Sequence, residues 1–192
     1  MTHLRKILPR DISRLIDHLQ RLDSEDRRLR FGRPVGDRYI EDFVAGLDWD
    51  RALSLGYFDG QEIRATGLLA RRADGPRDEA EIALTVEPDY RRLGLGLDLL
   101  RRLAVLARNR GIRHLDMMML AENEGMRGLA RKFGAVLTPA GSEITGRIDL
   151  AAPDLASWWQ EASDDGAALV HEAIAQWRPL LAGRRQHGPG AV

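Results

Sequence analysis

The residues best spaced for chemistry form one run, Val86-Glu-Pro-Asp-Tyr-Arg-Arg-Leu-Gly-Leu-Gly-Leu97. A stretch rich in β-branched residues, Ile82 to Val86, stops at Pro88. An Arg-x-x-Gly-x-Gly loop (Arg91, Gly94, Gly96) then opens directly into a leucine-rich amphipathic segment. Strand, glycine loop and helix start together make a cradle for pyrophosphate. Glycines let the backbone come close, several N–H groups point the same way, and the helix dipole favours negative charge. The glycines could also serve only the geometry of a strand-to-helix turn. Arg91 and Arg92 beside them favour an anion. A P-loop needs Gly-Lys-Ser/Thr, but Leu97-Asp98 follow Gly96. A dinucleotide fingerprint needs a small third residue where Leu99 stands.

Composition narrows the field. At 192 residues, 44% hydrophobic and 30% charged, the chain reads as one globular domain with room for a terminal extension. Its net charge is zero, so nothing global points to nucleic acid or to a membrane surface. The basic residues are almost all arginine. Cysteine is absent, which removes disulfides, thiolate metal sites and a cysteine nucleophile together. The five histidines (His3, His18, His114, His171, His187) show no metal-ligand spacing. No signal-like or membrane-length apolar run is present, so the expected location is cytoplasmic.

The elements that must position the loop follow from periodicity. Leu4–Leu8 reads as an opening strand, and Asp11 as the N-cap of a helix with Ile12, Leu15, Ile16, Leu19 and Leu22 on one face. Arg27–Gly32 reads as a solvated arginine connection, and Asp37 as the cap of a second short helix. Arg51–Phe58 and Ile63–Ala70 around Asp59-Gly60 make a hairpin, in which Gly56 and Gly67 mark bulges or close packing. A loop over Ala73–Asp78 leads to the strand Glu81–Val86, and a helix from Leu95 to about Arg110 is closed by Gly111. His114–Leu120 is a strand whose Met117–Met119 belong to the core, and Asn123–Phe133 is a helix ended by Gly134. Strands near Val136 and over Ile144–Leu150 close the sheet. The expected class is α+β, a mixed and mostly antiparallel sheet flanked by helices with one helical crossover. Residues 1–150 form the domain, 151–183 a helical extension and 184–192 a flexible tail. Trp158, Trp159 and Trp177 either dock the extension or form a partner surface, with a second copy of the chain as one candidate partner.

Ala80–Val86 with Pro88, Tyr90–Gly96, and Asn123–Gly134, in this order and spacing, resemble the GNAT superfamily of acyl-CoA-dependent N-acetyltransferases. Arg28-Leu-Arg-Phe31 and the Asn-x-x-Met opening at Asn123 look most like the acetyltransferase domain of bacterial protein-lysine acetyltransferases. The resemblance spans roughly residues 1–150. It implies acetyl-CoA as the donor and an amine-bearing acceptor, either a protein lysine or a small molecule. It also implies a sheet splayed between the strands ending at Val86 and Leu120. Pantetheine would pair with backbone groups of Leu84, Thr85 and Val86. Pyrophosphate would sit on Arg91, Arg92, Leu93, Gly94, Leu95 and Gly96, and Asn123 would reach the pantetheine arm.

Acetyl transfer needs a neutral amine, an oxyanion donor and a proton for the thiolate. Without cysteine, direct attack in a ternary complex is favoured over a thiol acyl-enzyme. An N–H near Thr85 or Val86 is the natural oxyanion donor. Glu81 matches the strand carboxylate of many relatives and is the candidate general base, with Glu79 its competitor. The chain departs from the pattern at Ala130, seven residues after Asn123, where many relatives carry a tyrosine. A non-catalytic acyl-CoA binder is therefore an alternative. Tyr90, Tyr57 and His114 remain as side chains able to supply a proton, each with a structural reading beside it.

Overall fold

The computed structural model describes residues 2–72 and 74–182, with side chains for 3–72 and 74–168. Seven strands form one sheet in the order β1-β2-β3-β4-β5-β7-β6. These are β1 (Thr2–Lys6), β2 (Ala52–Asp59), β3 (Glu62–Ala70), β4 (Glu79–Val86), β5 (His114–Leu120), β6 (Val136–Ala140) and β7 (Glu143–Asp149). Every neighbouring pair is antiparallel except β4–β5. That parallel pair is joined by the crossover helix α4 (Leu95–Asn109), as parallel neighbours require. The pairing covers only Glu79↔His114, Ala80↔Leu115 and Glu81↔Asp116, and beyond it the two strands part.

Two cores lie on the two faces. Leu99, Leu100, Leu103 and Ala107 of α4 pack on Leu69, Ile82, Leu115 and Met117 of the sheet. Leu103 comes so close to β3 that a Cβ on Gly67 would lie 2.6 Å from its Cδ1, and 2.9 Å from Leu84 Cδ2. This is the close packing expected at Gly67. On the other face α1 (Ile12–Arg21) and α3 (Asp37–Ala45) bury Leu15, Leu19, Ile40 and Val44 against Phe58 and Ile63. Met117 and Met119 are core residues, whereas Met118 alternates onto the open face and is 52% exposed.

Three local expectations are corrected. Arg27–Gly32 is not a solvated connection, because Ser24–Phe31 forms a helix, α2. Asp23 accepts the Asp26 amide as its N-cap, and Gly32 ends it at φ 72°. Asp11 sits at the N-cap of α1 without capping it. Its carboxylate is fully buried and takes Arg5 at 2.6 and 2.9 Å, Arg14 at 2.7 Å and the Leu8 amide at 3.1 Å. Gly36, not Asp37, is the N-cap of α3.

The last described helix, α6 (Leu155–Ala182), lies on α4 and β1. Its polar groups make the junction: Ser157 Oγ donates to Asn109 at 2.6 Å, and Lys6 meets Asp165 at 2.6 Å. Trp158 and Trp159 are 52% and 74% exposed, so they do not dock the helix. Trp177 and the 184–192 tail lie outside the described side chains.

Urea denaturation of Gly67→Ala is expected to show a loss of about 1–3 kcal/mol, the usual cost of overpacking. In a Leu103→Ala background the loss should shrink, because the obstructing Cδ1 is gone. Equal losses in both backgrounds would contradict the packing described.

Candidate functional site

The fork between β4 and β5 leaves main-chain groups without a strand partner. Glu87 N–H donates to Arg64 O at 3.0 Å. Bonding alternates along an antiparallel ladder, so Thr85, Ala83 and Glu81 also turn their main-chain groups to β3. Ile82, Leu84 and Val86 turn theirs into the fork. Val86 O is taken by Arg91 Nε at 3.0 Å. The groups of Leu84 have no strand partner on that side among the described residues. The expectation of a free Thr85 backbone is therefore corrected: its main chain belongs to β3, and only its side chain is available.

The glycine loop begins as a turn, with the Tyr90 and Arg91 amides bonded to Glu87 O and Pro88 O at 2.9 and 3.1 Å. Arg92 adopts φ 60° and Gly94 φ 85°. The left-handed conformation at Gly94 suits glycine. Asp98 N–H bonds to Gly94 O at 3.1 Å, so the Leu95, Gly96 and Leu97 amides of the first turn of α4 have no partner among the described residues. Arg91 is a brace: its amide is used, and its guanidinium meets Asp26 of α2 at 2.5 Å.

These elements wall a cleft of about 620 Å³. Ala83–Val86 form one wall and α5 (Glu124–Lys132) the other, with Leu29 and Arg30 of α2 above and Met118 at the fork. Leu84, Thr85, Val86, Arg91, Arg92, Gly94, Leu95, Gly96 and Asn123 all line it; Leu93, 66% exposed, does not. Asn123 caps α5, its Oδ1 accepting the Met126 amide at 3.0 Å. Lys132 adds an exposed cation at the rim. The arginines of α2 are tied down. Arg27 reaches Asp37 at 2.7 Å, Arg28 reaches Glu122 across the cleft at 2.5 Å, and Arg30 lies over Phe31 and Phe43.

Glu81 does not line this cleft. It faces a smaller pocket of about 110 Å³ with Arg72, Glu79, Asp116 and Thr145, and Met118 lines both spaces. Arg147 spans Glu79 and Asp116 at 2.7 and 2.9 Å, so the competitor carboxylate is already paired. Burial lowers the pKa of Arg30 to about 10, opposed by the charge of Glu81 nearby. The candidate proton donors are also engaged. Tyr57 donates to Asp98, Tyr90 to Asp59 at 2.8 Å, and His114 pairs with Asp149 at 2.7 Å. Ala130 is fully buried in the core.

Sequence reasoning missed a buried polar group behind β4. His18 of α1 is fully buried, with Nδ1 3.0 Å from Glu87 and Nε2 2.8 Å from Thr85. Burial would raise the Glu87 pKa, but His18, Arg64 and Arg21 outweigh it and hold the carboxyl down to about 2. Burial lowers the His18 pKa despite the opposing charge of Glu87. One signal was present in the chain: Thr85 and Glu87 share a strand face with Glu81, and His18 lies on the apolar stripe of Leu15, Leu19 and Leu22.

A model of the acetyltransferase (GNAT) family matches residues 16–135. Acetyltransferase PA5475 of Pseudomonas aeruginosa is 28% identical over 138 residues, 69% of this chain and 74% of that protein. The GNAT domain of S. lividans PAT superposes with TM-score 0.68 at 25% identity, covering 77% of this chain and 89% of that one. The PaiA N-acetyltransferase of Thermoplasma acidophilum, solved in complex with coenzyme A, gives TM-score 0.59 at 18% identity over 78% of this chain and 99% of that one.

The shifted groups make stability pH-dependent. Neutral His18 resists protonation in the fold, so the unfolded chain takes up the proton first and stability falls as pH drops below 6.5. Glu87, held at about 2 against an ordinary 4.5, stabilises fully above 4.5 and loses that contribution as pH falls toward 2. The full effect is on the order of 3 kcal/mol. Urea midpoints at pH 8, 6 and 4 should fall in that order. Glu87→Gln should be less stable at pH 7 with a flatter acid limb. A midpoint independent of pH would contradict this.

Proposed function

The chain belongs to the acetyltransferase (GNAT) family, and on that premise we propose that it is an acetyl-CoA-dependent N-acetyltransferase. Its acceptor is a primary amine on a protein lysine or a small molecule. The observation that carries this reading is the fork whose free main-chain edge at Leu84 leads into the unpaired amides of Leu95–Leu97. An extended pantetheine arm fits that edge as an added strand. The α4 N-terminus, with Arg92 and Lys132 at the cleft margin, suits the phosphates. The Leu84 or Val86 amide faces the fork and is the oxyanion donor.

Glu81 faces the smaller space, which shares Met118 with the cleft. There it takes a proton from the acceptor ammonium, and the freed amine attacks the thioester directly. The motif likeness over Arg28–Phe31 and Asn123–Met126 makes lysine peptides the first acceptors to try. Ala130 and the engaged phenols favour a second reading, an acyl-CoA-binding domain without turnover.

Acetyl-CoA should raise the melting temperature, and Gly94→Glu should weaken its binding by at least about tenfold by placing a carboxylate at the phosphate site. In a thiol-release assay Glu81→Gln should lower kcat on the order of 10²-fold and leave acetyl-CoA affinity unchanged. Unaltered affinity in the first variant would overturn the cofactor site. Full turnover in the second would remove Glu81 from its role, and binding without turnover on amines and lysine peptides would favour the second reading.

A further inference from the structure

Behind β4, four side chains form a continuous hydrogen-bonded line that meets the cleft at Thr85. His18 is 0% exposed, Thr66 6%, Thr85 8% and Glu87 8%. Each proton on the line can be assigned. Ionised Glu87 only accepts, from Arg21 Nε at 3.0 Å, from Arg64 at 3.0 Å and from His18 Nδ1 at 3.0 Å. Nδ1 therefore carries the proton, and the neutral ring leaves Nε2 bare. Nε2 accepts from Thr85 Oγ1 at 2.8 Å. The Thr85 proton is thus spent, so Thr66 donates to Thr85 at 2.6 Å. One acceptor site remains on Thr85 Oγ1, and Thr85 lines the cleft between Leu84 and Val86. The charged groups around the ring are Arg21 on α1, Glu87 just after β4, and Arg64 on β3 paired with Glu62. A carboxylate, an oriented imidazole and a hydroxyl in line make up a nucleophile–base–orienter constellation.

We propose that Thr85 is a catalytic residue, with His18 and Glu87 as its positioning residues, and that the line carries a proton from the acceptor nitrogen to the sulfur of coenzyme A. This rests on the N-acetyltransferase reading. An acceptor ammonium must lose two protons to become an amide, and the departing sulfur must gain one. Glu81 takes the first before attack and releases it to solvent. As the N–C bond forms, the carbonyl becomes an oxyanion and the nitrogen a cation. That nitrogen gives its second proton to Thr85 Oγ1, while the proton already on Oγ1 passes to His18 Nε2. The resulting imidazolium is paired with Glu87. When the oxyanion collapses and the C–S bond breaks, the thiolate takes a proton from Thr85, and His18 refills the hydroxyl. The sum is ammonium plus acetyl-CoA giving acetamide, coenzyme A thiol and one proton. A single imidazole acts first as base and then as acid, and no tyrosine at position 130 is needed.

The test pairs kinetics with spectroscopy on the full chain. Thr85→Val, which keeps the shape and loses the hydroxyl, should lower kcat on the order of 10²-fold at unchanged acetyl-CoA affinity, with a lower melting temperature because His18 Nε2 and Thr66 lose a buried partner. Thr85→Ser should restore most of the rate. In ¹⁵N-histidine-labelled protein, the bare Nε2 resonance of His18 should move on saturation with coenzyme A. It should stay still with adenosine 3′,5′-bisphosphate, which lacks the thiol arm. Full turnover by Thr85→Val, or a silent Nε2 in protein saturated with coenzyme A, would overturn the relay and leave the acetyltransferase reading standing. Failure to bind coenzyme A at all would overturn both. Coenzyme A binding without turnover on any amine or lysine peptide would overturn the relay together with the catalytic reading and leave the cofactor site standing.

Discussion

The broken ladder between β4 and β5 is the constraint on which the rest of the structure depends. Main-chain groups withdrawn from water without a partner are costly, and a strand that loses its neighbour mid-way must find another. Here the loss begins after Glu81 and Asp116, and the two strands then run apart around the cleft. The surrounding elements hold the gap open. Arg91 closes one carbonyl of the edge, that of Val86, and ties the loop to Asp26. Arg28 carries α2 across to Glu122 beside α5. Asn123 fixes the start of α5 by capping it. Together these contacts leave the edge at Leu84 without a strand partner among the described residues, which is the basis of the proposed backbone recognition.

A strand at such a fork has three working directions. Its odd-numbered main-chain groups hold β3, and beyond the short β5 ladder its even-numbered ones face the gap. Ile82 and Leu84 send their side chains to the α4 core. Glu81, Thr85 and Glu87 send theirs to the opposite face, where α1 and α2 cover them. The proposed main-chain recognition and side-chain proton chemistry therefore draw on different atoms of one segment. The cost is polar burial under α1, met at Thr85 by His18 and Thr66 and at Glu87 by His18, Arg21 and Arg64.

Strong periodicity and glycine punctuation carried most of the fold into the sequence. The hairpin around Asp59-Gly60, the α4 stripe and the Asn123 cap all stand where pattern predicts them. Elements with little apolar signal were hidden. In α2 only Leu29 and Phe31 are apolar, so its evidence was in its caps, Asp23 and Gly32, rather than its face. Asp11 reads as a cap because Asp so often is one, but a buried arginine reached it first. Contacts between distant segments leave no local trace. His18 and Glu87 are 69 residues apart, and a histidine on an apolar stripe looks like core until its partners are known.

The same logic bears on Ala130. This position lies inside the main core and not on the cleft wall. Near it α5 approaches the glycine loop, with Leu129 Cδ2 3.5 Å from where a Gly96 Cβ would be. A phenol at position 130 would have to fit in that packing. The α5 wall supplies caps and apolar contact, whereas among the described residues the opposite wall holds the ordered buried polar line of Thr85, His18 and Glu87. If the donor is held by main chain, as proposed, proton chemistry can sit on either wall without rebuilding the donor site. What must be kept is the fork; which side chain carries the proton is free to change.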